Sequence, residues 1–122
     1  MKKEKEKQLW RRYKTKAELK KFYISILPKI REVAKKSGYA VGVHGSMERD
    51  LDLIAVPWID KRVLPATLAR RISNAIVGKE YWKGFNSLQQ WKNKPNQRKA
   101  ISIMIGANAY IDLSIVPFTP CL

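Results

Sequence analysis

The stretch VHGSMERDLDL, residues 43 to 53, decides the fold. Before it, the short apolar run at residues 39 to 44 predicts a buried strand. After the turn, the aspartates at positions 50 and 52 alternate with leucines at positions 51 and 53. This alternation predicts a second strand over residues 50 to 57. Because successive side chains of a strand point to opposite faces, Asp50 and Asp52 are expected to project together.

One helix is predicted before this stretch. Thr15 and Glu18 have the spacing of a capping box, in which each residue bonds the other's exposed N–H group. Gly38 suits the residue after a helix, and Pro28 inside the run predicts a kink. The apolar positions recur every three or four residues: Leu19, Phe22, Tyr23, Ile26, Leu27, Ile30, Val33 and Ala34.

A helix and two strands are predicted after it. The helix begins near Pro65, a residue favoured in a first turn, and stops at Gly78. The strands span residues 100 to 105 and 110 to 118, with a hairpin turn at residues 106 to 108. The predicted fold class is therefore α/β (α+β). A chain of 122 residues suffices for one modest core, so residues 15 to 122 are expected to form a single domain.

The charge is strongly unbalanced. Lys and Arg number 25 and Asp and Glu 10, for a formal net charge of +15. Such a surface attracts polyanions, so nucleic acid is a candidate partner. Ten of these cations lie in the first 21 residues, and residues 1 to 14 are expected to form a basic arm or an exposed helical extension. That arm is either a phosphate contact or a solvated tail.

Several classes of protein are disfavoured. The single cysteine, Cys121, cannot form an internal disulfide, and no run has the length of a membrane span. The basic N-terminus leads into no apolar segment of a secretory signal. A cytoplasmic protein that does not enter membranes is therefore expected, and its oligomeric state is left open.

Residues 79 to 99 mix aromatic and basic side chains with poor periodicity. Aromatic rings interleaved with cations are typical of nucleic-acid contacts, but tryptophans also commonly complete a core. We expect some of the aromatic residues to pack in the core and the basic residues to contact substrate. The residues concerned are Tyr81, Trp82, Phe85 and Trp91, with Lys79, Lys83, Lys92, Lys94, Arg98 and Lys99.

Three of the four aspartates lie in apolar strand patterns, where aspartate is disfavoured. These are Asp50, Asp52 and Asp112. If their strands are adjacent, the carboxylates meet, and their repulsion calls for a cation such as Mg²⁺ (or Mn²⁺). Gly45 and Ser46 precede them, where glycine lets a phosphate approach the backbone and the hydroxyl and N–H groups hold its oxygens.

These motifs resemble the nucleotidyltransferase superfamily typified by DNA polymerase β. The resemblance rests on residues 43 to 46, residues 49 to 53 and residues 110 to 114, and spans about residues 15 to 118. Small members encoded by phages and prophages share the His-Gly-Ser and Arg-Asp-Leu-Asp-Leu runs and also a Val-Pro-Trp run, here residues 56 to 58. If the chain is phage-encoded, its compartment is the host cytoplasm.

The resemblance implies a small mixed β-sheet packed on helices. It also implies Mg²⁺-dependent transfer of a nucleotidyl group from a nucleoside triphosphate to a hydroxyl. In that reaction Gly45 and Ser46 contact the triphosphate. Asp50, Asp52 and Asp112 bind the metal, and Asp112 also helps to activate the hydroxyl.

Two neighbouring residues have open roles. His44 is structural, contacts a phosphate or assists proton transfer, and Arg49 pairs with the aspartates or binds phosphate. Only three residues separate Ser46 from Asp50, fewer than in larger members of the superfamily. One alternative is therefore a catalytically inactive module that binds nucleic acid or a protein partner. Another is a metal-dependent nuclease.

Overall fold

The computed structural model describes residues 8 to 84 and 86 to 117, apart from the side chains of Glu80 and Leu88. Its main helices are α1 (Lys16–Lys36), α2 (Pro65–Val77) and α3 (Lys79–Gly84). Its strands are β1 (Tyr39–His44), β2 (Asp50–Pro57), β3 (Lys92–Asn93), β4 (Lys99–Gly106) and β5 (Ala109–Ile115).

The strands form one five-stranded sheet in the order β1-β2-β5-β4-β3. β2 and β5 run parallel, whereas the β1–β2, β4–β5 and β3–β4 pairs are antiparallel. The sheet is therefore mixed and packs against helices, which confirms the predicted fold class. The parallel pair at its centre brings two strands together that lie far apart along the chain.

Helix α1 begins at the predicted cap. The Thr15 hydroxyl accepts the Glu18 N–H at 3.0 Å. The return bond of the box goes one residue earlier than expected, because the Glu18 carboxylate accepts the N–H of Lys14 at 2.9 Å. The helix then continues unbroken through Pro28 to Lys36. The caps thus set the start of α1, and Pro28 does not end it.

The core lies between the sheet and the helices α1 and α2. On the two central strands every second residue is fully buried, as Leu51, Leu53, Ile111 and Leu113 show. None of the helices in the described part of the chain combines the length and the apolar composition that a membrane span requires. The other face of the sheet, which we call the open face, carries the remaining side chains of these strands.

Residues 8 to 14 of the expected basic arm pack against the domain. Leu9 and Tyr13 are buried, at 4% and 7% exposure. The Asn108 side chain, in the β4–β5 turn, accepts the N–H of Tyr13 at 2.9 Å and donates to its carbonyl at 2.8 Å. These residues therefore close one end of the core. Residues 1 to 7 lie outside the described part of the chain.

The aromatic-basic segment divides between core and surface. Trp82 and Trp91 are half-buried and pack against the core, which agrees with the packing role expected for part of the set. Phe85 lies outside the described residues. The last strand ends at Ile115, earlier than the predicted residue 118, although the N–H of Val116 still donates to the carbonyl of Ala55 on β2 at 2.9 Å.

Candidate metal and phosphate site

Asp52 and Asp112 are directly opposite each other on the two parallel central strands. Paired residues of adjacent strands project to the same face, and their backbones lie about 4.8 Å apart. Because the residues that flank each aspartate are buried against the helices, both carboxylates stand on the open face. The structure thus brings these two predicted site residues together.

The pair belongs to a row of four side chains that crosses the sheet. His44 of β1 is opposite Asp52, and Ser102 of β4 is opposite Asp112. His44 was a candidate from the sequence, whereas Ser102 was not. Its only sequence signal is the alternation of β4, in which Ile101 and Ile103 are buried and Ser102 is exposed. We call these four residues the acidic row.

Asp50 lies beside the acidic row rather than in it. It shares the open face with Asp52, two residues along β2, about 7 Å away along the strand. Its register partner on β5 is Tyr110, not Asp112. Among the described residues, no group of three or more His, Cys, Asp or Glu side chains is arranged to hold a metal ion. The carboxylates therefore form a close pair with a third beside it.

The environment of Asp52 favours its neutral form. Partial burial, followed by the charge of Asp112, raises the pKa of this carboxyl, and Asp50 adds a smaller contribution. His44 and Lys94 act in the opposite direction. Because part of the increase is repulsion between like charges, a cation between the two carboxylates would relieve it.

Gly45 shapes the turn that follows β1. It has a φ of +82°, a region that side chains rarely adopt. A Cβ atom built on it would lie 3.0 Å from Oδ2 of Asp52. Ser46 is next in the turn, exposed, and its hydroxyl accepts the N–H of Glu48 at 3.4 Å. The Gly-Ser turn, residues 45 to 49, therefore lies against the acidic row and leaves a polar group exposed there.

Tyr23 of α1 links the two central strands from the helical side of the sheet. Its hydroxyl donates to the carbonyl of Arg49 at 2.7 Å and accepts the N–H of Tyr110 at 3.1 Å. Burial is the main cause that raises its pKa to about 12, so the donor proton is retained at neutral pH. Tyr23 thus ties the start of β2 to the start of β5. The sequence indicated only that it belongs to the core.

The Arg49 side chain is exposed at the end of the Gly-Ser turn. The salt bridges within the described residues join Lys16 to Glu48 and Glu32 to two lysines of α1, so none engages Arg49. The described residues thus show no ion pair between Arg49 and the aspartates, and the contact of Arg49 with a phosphate stays a prediction.

A cleft of about 460 Å³ opens beside Asp50. Its polar lining includes Lys14, Lys16, Glu48, Arg49 and Asn108. A second cleft, of about 490 Å³, lies between α1 and α2 on the helical side of the sheet. Its lining holds no carboxylate, so it offers no metal ligand of that kind. The first cleft reaches Asp50, but neither Asp52 nor Asp112 is among the residues that line it.

Comparison with known proteins found no relative from which the role of this site could be inferred. A scan against protein-family models found no match, and neither did searches of curated proteins and of solved structures. What the open face offers chemically is two facing carboxylates, a third beside them and an adjoining glycine turn. Oxygen ligands of this kind suit Mg²⁺, which is commonly held by one or two carboxylates together with substrate phosphates.

Proposed function

We propose that the protein is an Mg²⁺-dependent nucleotidyltransferase, which moves a nucleotidyl group from a nucleoside triphosphate to a hydroxyl. The observation that carries this proposal is the pairing of Asp52 with Asp112 on parallel strands, with the Gly-Ser turn against Asp52. Carboxylates this close repel each other unless a cation lies between them.

The carboxylates are assigned to the metal. Asp52 and Asp112 would hold it from opposite strands, and Asp50 would bind from the adjacent position. Mg²⁺ (or Mn²⁺) would neutralise the phosphates and stabilise the attacking and leaving oxygens. The pairing fits such an ion because two carboxylates leave coordination positions for phosphate oxygens, so no preformed third ligand is required.

The remaining residues are assigned to the triphosphate and the acceptor. Gly45 and Ser46 would bind phosphate through backbone N–H groups and the hydroxyl, with Arg49 and His44 as further donors. Asp112 would also orient the attacking hydroxyl and accept its proton. The bond between the α-phosphorus and the bridging oxygen then breaks, and pyrophosphate leaves.

A thermal-shift panel of the four nucleoside triphosphates tests the binding half of this proposal. A ligand bound only by the folded state stabilises it by about 2.7 kcal/mol at 100 times its Kd, which raises Tm by several degrees. We expect this rise for at least one triphosphate with Mg²⁺ and a much smaller one without it. No shift at millimolar concentrations of any triphosphate would contradict the proposal.

A second candidate is an inactive module of the same fold that binds nucleic acid. The net charge of +15 favours it, because a basic surface binds the phosphates of nucleic acid without any contribution from the aspartates. In that case an oligonucleotide raises Tm without Mg²⁺, and added salt removes the effect. Oligonucleotide binding alone does not separate the two candidates, whereas Mg²⁺-dependent nucleotidyl transfer is expected only of the first.

A further inference from the structure

A short basic hairpin stands at the edge of the sheet beyond β4. It runs from Lys92 to Lys99, and we call it the basic hairpin. It contains four cations within eight residues, and the sequence has no Asp or Glu between residues 81 and 111. β3 is only two residues long and exposed, so the hairpin extends the sheet little. The cations are Lys92, Lys94, Arg98 and Lys99.

One side chain of the basic hairpin lies over the open face. The N–H of Lys94 donates to the carbonyl of Arg98 at 2.9 Å and closes its turn. The guanidinium of Arg98 donates to the hydroxyl of Ser114 at 3.4 Å. Ser114 and Ala100 face each other across β5 and β4 on the open face, yet they are only 6% and 2% exposed. The Arg98 side chain therefore lies against this part of the face.

The hairpin and the Gly-Ser turn lie on opposite sides of the acidic row. Ser114 is two residues beyond Asp112 on the same strand. Asp50 and the Gly-Ser turn lie in the other direction, before Asp52. Lys92 is opposite Ala100 on β4, so it projects to the same face of the sheet as the row. A substrate held at the carboxylates therefore has a glycine turn on one side and cations on the other.

This arrangement constrains the acceptor. In phosphoryl transfer the attacking and leaving oxygens stand roughly in line on opposite sides of the phosphorus. With the triphosphate at the Gly-Ser turn, the attacking hydroxyl must approach from the basic hairpin. Exposed lysines on that side suit an acceptor that carries negative charge close to its hydroxyl.

We infer that the acceptor is the terminal hydroxyl of a single-stranded nucleic acid, whose last backbone phosphates bind the basic hairpin through Lys92 and Lys94. The inference rests on the proposed function. The acceptor oxygen forms a bond to the α-phosphorus, its proton passes to Asp112, and pyrophosphate departs. Arg98, whose guanidinium contacts Ser114, adds a further cation on this side of the row.

The inference is tested by anisotropy with a fluorescent single-stranded oligonucleotide. The variant carries Lys92→Gln and Lys94→Gln, and a matched control carries Lys20→Gln and Lys35→Gln, two exposed lysines of α1. We expect the hairpin variant to bind at least about tenfold more weakly, with a salt slope smaller by about 1.4 because two phosphate contacts are lost. The control should stay within about twofold of the original protein, since its lysines add only to the general field.

Equal losses in the two variants, or none in either, would overturn the inference. A transfer assay adds the kinetic test: the hairpin variant should raise KM for the oligonucleotide and leave KM for the triphosphate unchanged. A normal Mg²⁺-dependent triphosphate shift with unchanged oligonucleotide binding refutes the hairpin and spares the proposed function. Oligonucleotide binding through the hairpin with no triphosphate binding refutes the proposed function and, with it, the acceptor.

Discussion

Replacing Asp52 by Asn is expected to reduce Mg²⁺-dependent nucleotidyl transfer at least about a thousandfold, which corresponds to about 4 kcal/mol in the barrier. The amide keeps the shape of the side chain but removes the charge that faces Asp112 and would hold the metal. Transfer is measured with a radiolabelled triphosphate and an oligonucleotide acceptor. Asp60→Asn is the matched control, because Asp60 is exposed in a loop away from the row.

The same variant should not weaken the fold. Because the pKa of Asp52 is raised in the folded state, the folded protein binds this proton more tightly than the unfolded chain does. The metal-free protein therefore loses stability as pH rises above the ordinary value of 3.8, and Asp52→Asn removes that loss. In urea unfolding, the free energy of unfolding of the variant should rise relative to that of the original protein as the pH increases through this range.

For the transfer assay, undiminished transfer by a folded Asp52→Asn protein would refute the assigned role.

Replacing Asn86 by Ala is expected to lower the free energy of unfolding by about 2 to 4 kcal/mol. Asn86 is fully buried, and its amide accepts the N–H of Met104 at 3.1 Å and donates to the carbonyl of Met104 at 3.2 Å. It also donates to the hydroxyl of Ser73 at 3.0 Å. Truncation leaves these buried groups without partners, and this is costlier than the loss of one surface bond.

The Asn86 side chain pairs with the edge of β4 much as a neighbouring strand would. β3 pairs only with residues 99 and 100, so Met104 lies beyond its reach. Urea unfolding measures the loss, with Ser87→Ala as the control because its hydroxyl makes an exposed bond to Lys83. A change for Asn86→Ala no larger than that of the control would show that this pairing does not stabilise the sheet.

Local patterns predicted much of the fold. The bounds of β1, β2 and α2 follow from alternation, helical periodicity and punctuation by proline and glycine. Gly78, for example, ends α2 with a φ of +98°, as a residue without a side chain can. The shared face of Asp50 and Asp52 also follows from alternation. The sequence predicted that Asp112 meets them if their strands are adjacent, and the parallel register places Asp112 opposite Asp52.

The rest depends on contacts between residues far apart in the chain. Tyr23 bonds the backbone of Tyr110, and Asn86 bonds Met104, neither of which a local pattern encodes. Likewise, the position of Ser102 beside Asp112 follows only from the strand order, and the position of Lys94 follows only from its pairing with Arg98 across the basic hairpin. Periodicity indicates that a side chain is buried or exposed, but not which distant group it meets.

The central claim is that Asp52 and Asp112 hold one divalent cation between two parallel strands. Anomalous X-ray diffraction from crystals grown with Mn²⁺ and a non-hydrolysable nucleoside triphosphate tests it most directly. The account predicts a manganese peak within ligand distance of both carboxylates and of the phosphates, beside Gly45. A triphosphate bound with manganese elsewhere, or with neither carboxylate as a ligand, would contradict it.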